Sequence, residues 1–280
     1  PDPETVASLY GDDYFEKDYD SCLSEASYFD SFPRLLARYG ALLDAIEAQR
    51  GPGRAPGSLF EIGCAGGWFL KIARDRGWRV GGQEITGVGA RHARETLGLD
   101  VEHAPFPGGA RAPEPCDVVY LGHVLEHLRS PREGLAAAGA WLRPGGLLVV
   151  EVPTYVASLW FRGLRPAVPW LRRLGLDPGG VLRVLKFPSP GETIEPFHLY
   201  EFQPRTLARL LEGAGYRVVR MESRVPKPDS LAAPRGAAAR AAGAGFDALD
   251  LAARRLGWTG GNVTAFARSG GEARGSGSTG

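Results

Sequence analysis

The stretch SLFEIGCAGGWFLKIARDRGWRVGGQEIT, Ser58 to Thr86, constrains the fold more than any other part of the chain. SLFEIG reads as a strand that runs into a glycine turn. GWFLKIARDRG then predicts a helix with Phe69, Ile72 and Ala73 on one face and a stop at Gly77, and WRVGGQEI predicts a second strand closing on an acid. Two strands joined through a helix form a parallel pair, and the same pattern continues downstream. GVGARHARETLG reads as a helix and LDVEHA as a third strand. CDVVYLG is a fourth strand, with a Val-Val-Tyr-Leu run suited to burial on both faces. SPREGLAAAGAWLRPGG reads as a capped helix, with Ser130 at the N-cap, Pro131 at the first helical position, Glu133 three residues on and a Pro-Gly-Gly stop. LLVVEVP follows as the fifth strand. This alternation from Ser58 to Pro153 predicts a doubly wound α/β domain with a mostly parallel sheet.

Beyond Pro153 the alternation breaks for about 50 residues, more than an ordinary loop holds. That insertion, 154–203, carries an aromatic, arginine-rich part, YVASLWFRGLRPAVPWLRRLG, and a proline-rich part, KFPSPGETIEPFHLYEFQP. Alternation resumes with the helix PRTLARLLEGAG and the strand YRVVRME. FDALDLAARRLG is a further helix and NVTAFARS a last strand, while residues 270–280 form a Gly/Ser-rich tail expected to be disordered. With 280 residues, 44% of them hydrophobic, the chain can bury a full core. Its 33 basic and 32 acidic residues leave a net charge of +1, which provides no global field to recruit nucleic acid or an anionic membrane. No apolar run approaches the roughly 20 residues that span a bilayer. Cys22, Cys64 and Cys116 lie far apart without metal-ligand spacing, so neither a disulfide framework nor a metal site is expected, and a reducing cytoplasm fits. The opening PDPE, without methionine, suggests a processed product or a piece of something longer.

In an open parallel sheet the ligand lies outside the carboxyl ends of the strands, so the first strand aims its turn at the site. A dinucleotide needs G-x-G-x-x-G there. The turn reads Gly63-Cys64-Ala65-Gly66-Gly67-Trp68, with alanine and tryptophan at the second and third required glycines. What remains is E-x-G-x-x-G-G, a turn that lets a small ligand lie against the backbone without a phosphate anchor, with Glu61 suited to a cationic partner.

FEIGCAGGWFL, followed by Glu84 at the end of the second strand, resembles the first motif and the ribose-binding acid of class I S-adenosylmethionine-dependent methyltransferases. CDVVYLGHVLEHLRSPREGLAAAGAWLRPGGLLVVEVP and HLYEFQPRTLARLLEGAGYRVV are similar to later segments of the small-molecule branch, the second with Gln203 where the branch has serine. The resemblance implies a Rossmann-like, seven-stranded sheet with the last two strands antiparallel to their neighbours. It implies a methyltransferase domain over 58–269, a helical cap over 1–57, and the insertion as a lid or acceptor pocket. The cofactor would be S-adenosylmethionine. Gly63, Cys64, Ala65 and Gly67 would floor its methionine part and ribose, with Glu61 near the ammonium and Glu84 accepting from the ribose hydroxyls. Ile85, Ala104, Gly122 and His123 would complete the pocket, the adenine being met by backbone groups around Ala104. LYGDDYFEKDY also resembles a segment of this branch and offers Tyr14 and Tyr19 from the leading helices. In some relatives a cysteine-rich zinc ribbon precedes such a segment.

A sulfonium methyl is already activated, so the protein has to align a nucleophile and exclude water. For a hydroxyl acceptor a base helps, and histidine suits neutral pH. Of the five histidines, His127 in LEHL and His198 in EPFHLYEF are the catalytic candidates, with His92 and His103 structural. Cys64 reads as a small filler of the turn. Tyr155, Trp160, Arg162 and Tyr200 are candidates for the acceptor pocket. Arg162, Arg165, Arg172, Arg173, Arg183 and Lys186 face only Asp177 nearby, a patch that would favour an anionic small molecule, although solvated arginines on an amphipathic helix explain it equally well. The reading is transfer of a methyl group to a small-molecule acceptor, at oxygen, in secondary-metabolite or sugar biosynthesis, by a cytoplasmic monomer or homodimer. Transfer to carbon or nitrogen of a sugar or carrier-bound substrate remains open, as does a non-catalytic binding module.

Overall fold

In the computed structural model the described residues are 29, 32–51, 53–109, 114–154, 158, 166, 168–174, 198–225, 237–256 and 259–270. They form one seven-stranded sheet of order β3-β2-β1-β4-β5-β7-β6. The strands are β1 Ser58–Ile62, β2 Arg79–Glu84, β3 Val101–His103, β4 Cys116–Gly122, β5 Leu142–Pro153, β6 Tyr216–Arg224 and β7 Asn262–Ser269. β1 to β5 pair in parallel, and β7 runs antiparallel to both β5 and β6, as the resemblance implied. The helices are α1 Phe32–Arg50, α2 Trp68–Asp75, α3 Gly87–Arg91, which continues as a π turn His92–Thr96, α4 Pro131–Gly139, α5 Val168–Arg173, α6 Pro204–Gly213 and α7 Ala237–Arg255.

Alternation within the strands builds two cores, one on each face of the sheet. Val118 and Tyr120 of β4 join Leu147 and Val149 of β5, Leu43 and Ile46 of α1, and Phe69, Leu70 and Ala73 of α2. Their neighbours Val119, Leu121, Leu148 and Val150 point the other way, to Leu135 and Ala138 of α4 and Leu207 and Leu211 of α6. Successive side chains of a strand face opposite sides, so continuous apolar runs are what a twice-covered sheet requires. α4 starts as its sequence announces, with Pro131 in its first turn and the Ser130 hydroxyl accepting from Glu133 N at 3.4 Å.

The larger differences from the expectation are these. α4 stops at Gly139, and LRPGG belongs to β5, because Trp141 O already accepts from Cys116 N at 2.7 Å and commits the chain to the sheet. Pro144 and the glycines therefore make an irregularity at the start of the strand, where the register with β4 shifts between Cys116 and Val118. α7 begins at Ala237, well before Phe246, since the alanine-rich run has helix propensity of its own. The helix after β2 ends in a π turn.

The amino-terminal edge of the sheet is fastened by Asp117. Its Oδ2 accepts from Ser58 N at 2.8 Å, and Arg143 and Arg50 meet Oδ1 at 2.8 and 3.3 Å. The Arg50 guanidinium also lies 4.6 Å from the Trp78 ring centroid, so the end of α1 is tied to the same corner. Burial alone would raise the Asp117 pKa, but Ser58 N–H and the two arginines outweigh it and hold it below the usual carboxylate value. A depressed carboxyl contributes stability that is present above its unfolded pKa, about 4, and is lost as pH falls through the folded value. Asp117→Asn is therefore expected to lower the unfolding free energy by about 3 kcal/mol at neutral pH. In urea titrations the gap to the unaltered protein should narrow below about pH 4, where Asp117 takes up its proton.

Candidate functional site

Strand order reverses between β1 and β4, and the residues that carry chemistry gather at the carboxyl ends of these strands. The turn after β1 is held by Gly63 N and Cys64 N, which donate to Gln83 O at 2.9 and 3.1 Å. Gly63 and Gly67 have φ of 71° and 87°, and Ala65 takes 49°, a left-handed value uncommon outside glycine. Two contacts hold Ala65 there: its N–H donates to Glu84 Oε2 at 2.7 Å, and His92 Nδ1 lies 2.8 Å from the next carbonyl, Gly66 O. His92 is thus a brace of the turn, as a structural histidine should be, and His103 similarly meets Ile85 O at 3.0 Å through Nε2.

Glu84 is buried at the end of β2. Besides Ala65 N–H, it accepts from Thr86 N at 2.9 Å and from the Thr86 hydroxyl at 2.8 Å. Burial outweighs these bonds and raises its pKa. Glu61, at the end of β1, is also buried, and its Oε2 has no hydrogen-bond partner. Burial first, then the charge of Glu84, pushes its carboxyl well above the usual range. An orphaned, buried carboxylate oxygen beside a second acid calls for a cation or a donor. Cys64 is buried with its thiol pKa pushed up by burial and both acids, which makes it an inert filler. Ala104 lies beside Glu84, donating its N–H to Glu84 O at 3.0 Å.

Past β4 the chain turns sharply. Gly122 leads into His123, whose φ of 55° is again left-handed, and then into a single 3₁₀ turn, Leu125–His127. His123 N donates to Glu151 O at 2.9 Å. Its ring lies between two buried acids, Nδ1 3.4 Å from Glu126 Oε1 and Nε2 3.5 Å from Glu151 Oε1. Burial works against its charge, yet the two acids raise its pKa to about 9. Glu151 also receives Arg38 at 2.6 Å and the Tyr120 hydroxyl at 3.2 Å. Burial opposes its ionisation, but Arg38 and His123 hold the carboxyl well below the usual range.

The structure brings His127 and His198 together, with ring centroids 4.9 Å apart. The cause is a backbone latch. Leu199 N and Tyr200 N both donate to Glu126 O, at 2.9 and 3.2 Å, and the Tyr200 hydroxyl donates to Arg129 O at 2.9 Å. Burial is the main reason the His198 pKa falls to about 4, which leaves a neutral ring and a weak base. Tyr14, Tyr19, Tyr155, Trp160 and Arg162 lie outside the described residues. Of the remaining aromatics of the insertion, Trp170 is exposed on α5. Four participants escaped the sequence reading: Arg38, Thr86, Glu126 and Glu151. Glu126 stood next to a candidate in LEHL, and that adjacency was the available signal.

A methyltransferase-domain family matches residues 34–221 of the 280. The chain belongs to the class I S-adenosylmethionine-dependent methyltransferases. Among curated relatives, a ubiquinone biosynthesis O-methyltransferase of Caulobacter vibrioides is 33% identical over 110 residues, covering 36% of this chain and 43% of the relative. A probable S-adenosylmethionine-dependent methyltransferase of Mycolicibacterium smegmatis is 26% identical over 166 residues, 57% of this chain and 52% of the relative. The chain thus spans about half the length of these relatives. Among solved structures, the 1,6-didemethyltoxoflavin-N1-methyltransferase of Burkholderia thailandensis superposes with a TM-score of 0.55 at 16% identity, over 96% of this chain and 91% of that one. The N-methyltransferase NodS of Bradyrhizobium japonicum gives 0.51 at 15% identity, over 93% and 98%. At such identities these two establish the methyltransferase fold. S-adenosylmethionine is the cofactor of the family, and the buried orphan oxygen of Glu61 beside a left-handed turn fits its cationic methionine end.

A Cβ on Gly63 would lie 2.6 Å from Val124 Cγ2, whereas one on Gly53, at a similar φ of 73°, would meet nothing within 4 Å. In this chain Gly53→Ala is expected to cost only the backbone strain, about 1 kcal/mol. Gly63→Ala should cost about 1–2 kcal/mol more and weaken S-adenosylhomocysteine binding, a difference readable by thermal melts with and without that ligand.

Proposed function

We propose that the protein transfers the methyl group of S-adenosylmethionine to a small-molecule acceptor at oxygen. The observation that carries this reading is the buried pair Glu61 and Glu84 closing on the left-handed Gly63–Gly67 turn. When bound, the cofactor supplies an electrophilic methyl on a sulfonium. The protein's own groups then divide the remaining tasks. Glu61 meets the ammonium of the methionine part with the oxygen it leaves unpartnered. Glu84 accepts from the ribose hydroxyls, for which the Thr86 hydroxyl turns aside, since it now occupies Oε1. Gly63, Cys64, Ala65 and Gly67 floor the pocket, and Ile85, Ala104, Gly122 and His123 complete its wall. Tyr14 and Tyr19, in the proposed 1–57 cap, cover it.

On the acceptor side, His127 and His198 face each other beyond the end of β4 and receive the acceptor hydroxyl. Val124 lies against Gly63 and its carbonyl accepts from His127 N at 3.0 Å, which ties the histidine side of the site to the glycine turn. The insertion 154–203 shapes the rest of the acceptor pocket through Tyr155, Trp160, Arg162 and Tyr200, and its arginines favour an anionic acceptor. The oxygen preference draws on the O-methyltransferase relatives. A biosynthetic role in the cytoplasm, as a monomer or homodimer, completes the proposal.

Calorimetric titration with S-adenosylhomocysteine tests it, with NAD and NADP as controls. S-adenosylhomocysteine alone is expected to bind, and Glu84→Ala should weaken it by about 1.5–3 kcal/mol, or about 10- to 150-fold. Circular dichroism of the variant checks that it remains folded, because the change also frees Ala65 N–H and Thr86 N–H. Binding of NAD or NADP in place of S-adenosylhomocysteine, or of none of the three, would overturn the reading.

A further inference from the structure

One cluster of side chains beside the site holds polar atoms with no hydrogen-bond partner. Glu126 is fully buried, at 0% exposure, and neither of its carboxylate oxygens has a hydrogen-bond donor. The nearest cationic groups stand off, with His123 Nδ1 at 3.4 Å and His127 Nε2 at 3.9 Å from Oε1. His198 contributes a second orphan, its buried Nδ1. One donor atom from each of Glu126, His127 and His198 lies within 4.8 Å of the other two. Against the cost of burial, His123 and His127 hold the Glu126 carboxyl below its usual pKa, but a buried carboxylate with no hydrogen-bond donor on either oxygen still has room for a closer cation.

We propose that Glu126, His127 and His198 form a binding site for one divalent first-row transition-metal ion. The donor set argues for the class of ion. Two imidazoles and one carboxylate suit zinc, iron, cobalt or manganese better than magnesium or calcium, which prefer oxygen throughout. Metal–ligand bonds of about 2.0–2.2 Å place donor atoms roughly 3–4 Å apart, so the three groups need close only slightly. The donors come from two segments distant in sequence, and the bonds from Leu199 N and Tyr200 N to Glu126 O hold the two together. Such a latch gives the site a fixed frame, which a chance meeting of surface groups lacks.

The inference rests on the methyl-transfer reading for its purpose and refines it. Three protein donors leave coordination positions open, and the site stands where the acceptor hydroxyl is expected. An acceptor oxygen bound there loses its proton to solvent more readily. That oxygen then forms its bond to the methyl carbon while the carbon–sulfur bond breaks, with its electron pair staying on sulfur. The products are a methyl ether, S-adenosylhomocysteine and one released proton. In this arrangement His127 and His198 spend their lone pairs on the ion and position the acceptor, and neither serves as the base.

The test uses Co2+ as the probe on protein stripped with a chelator and verified metal-free by elemental analysis. One equivalent of Co2+ is expected to bind with the visible absorption of a nitrogen- and oxygen-ligated site of low coordination number. Glu126→Gln and His198→Ala should each weaken binding by about 100-fold or more. His198 is half-buried on a segment without helix or strand, so its variant keeps the test open should the Glu126 variant fold poorly. Binding that survives both substitutions, or no stoichiometric binding at all, would overturn the site. S-adenosylhomocysteine titrated into the same metal-free protein separates the two proposals. Its binding without any Co2+ binding sinks the metal site alone, and Co2+ binding without S-adenosylhomocysteine binding leaves the site standing while the methyl-transfer reading falls.

Discussion

The parallel pairing of β1 with β4 sets where everything else stands, because strand order reverses there and both carboxyl ends open onto one crevice. Asp117 fastens the opposite edge by drawing Ser58, Arg50 and Arg143 onto one carboxylate. With that corner rigid, each strand delivers its last residues to the crevice at a fixed height. Four buried acids gather there, Glu61, Glu84 and Glu151 from β1, β2 and β5 and Glu126 from the 3₁₀ turn after β4. A single edge that buries four carboxylates accumulates negative potential unless each one is answered. Glu151 is answered by Arg38 and His123, and Glu84 by Thr86 and the turn.

Glu126 shares the His123 ring with Glu151, at 3.4 and 3.5 Å, yet has no hydrogen-bond donor, and Glu61 keeps an orphan oxygen. In the proposed reading Glu61, on the glycine-turn side, takes the cationic methionine end of the cofactor, and Glu126, on the histidine side, takes the proposed metal ion. Among the described residues, the two left-handed non-glycine residues, Ala65 and His123, lie one in the glycine turn and one just after β4. Strain of this kind persists where surrounding contacts overdetermine it, and here those contacts come from Glu84 and His92 for one, and from Glu151 and Glu126 for the other.

The fold was legible because its signals are local. β4 and β7 match their sequence runs residue for residue, and the failure of the dinucleotide fingerprint at Ala65 and Trp68 pointed away from nicotinamide cofactors before any geometry was known. The start of β5 was misread since Pro-Gly-Gly ends a helix in most settings, and only pairing with Cys116 reveals the strand. Glu126 was invisible for a deeper reason. A glutamate in a short loop segment looks solvated, whereas here it is fully buried and its carbonyl is bonded by Leu199 and Tyr200, a long-range contact that no spacing encodes. The absence of cysteine spacing likewise spoke only to cysteine sites, and the donors gathered here are of another kind.

The latch from Leu199 and Tyr200 to the Glu126 carbonyl has a consequence for timing. The two bonds anchor the residues next to His198 to the residue next to His127, so if this part of the wall were to open, the donor set would come apart with it. A molecule that gains contacts only with the closed wall thereby selects the assembled state, and one too small to touch the wall does not. Discrimination between acceptors would then be kinetic as much as steric: a poor fit leaves before the constellation exists, and the activated methyl is spared transfer to water.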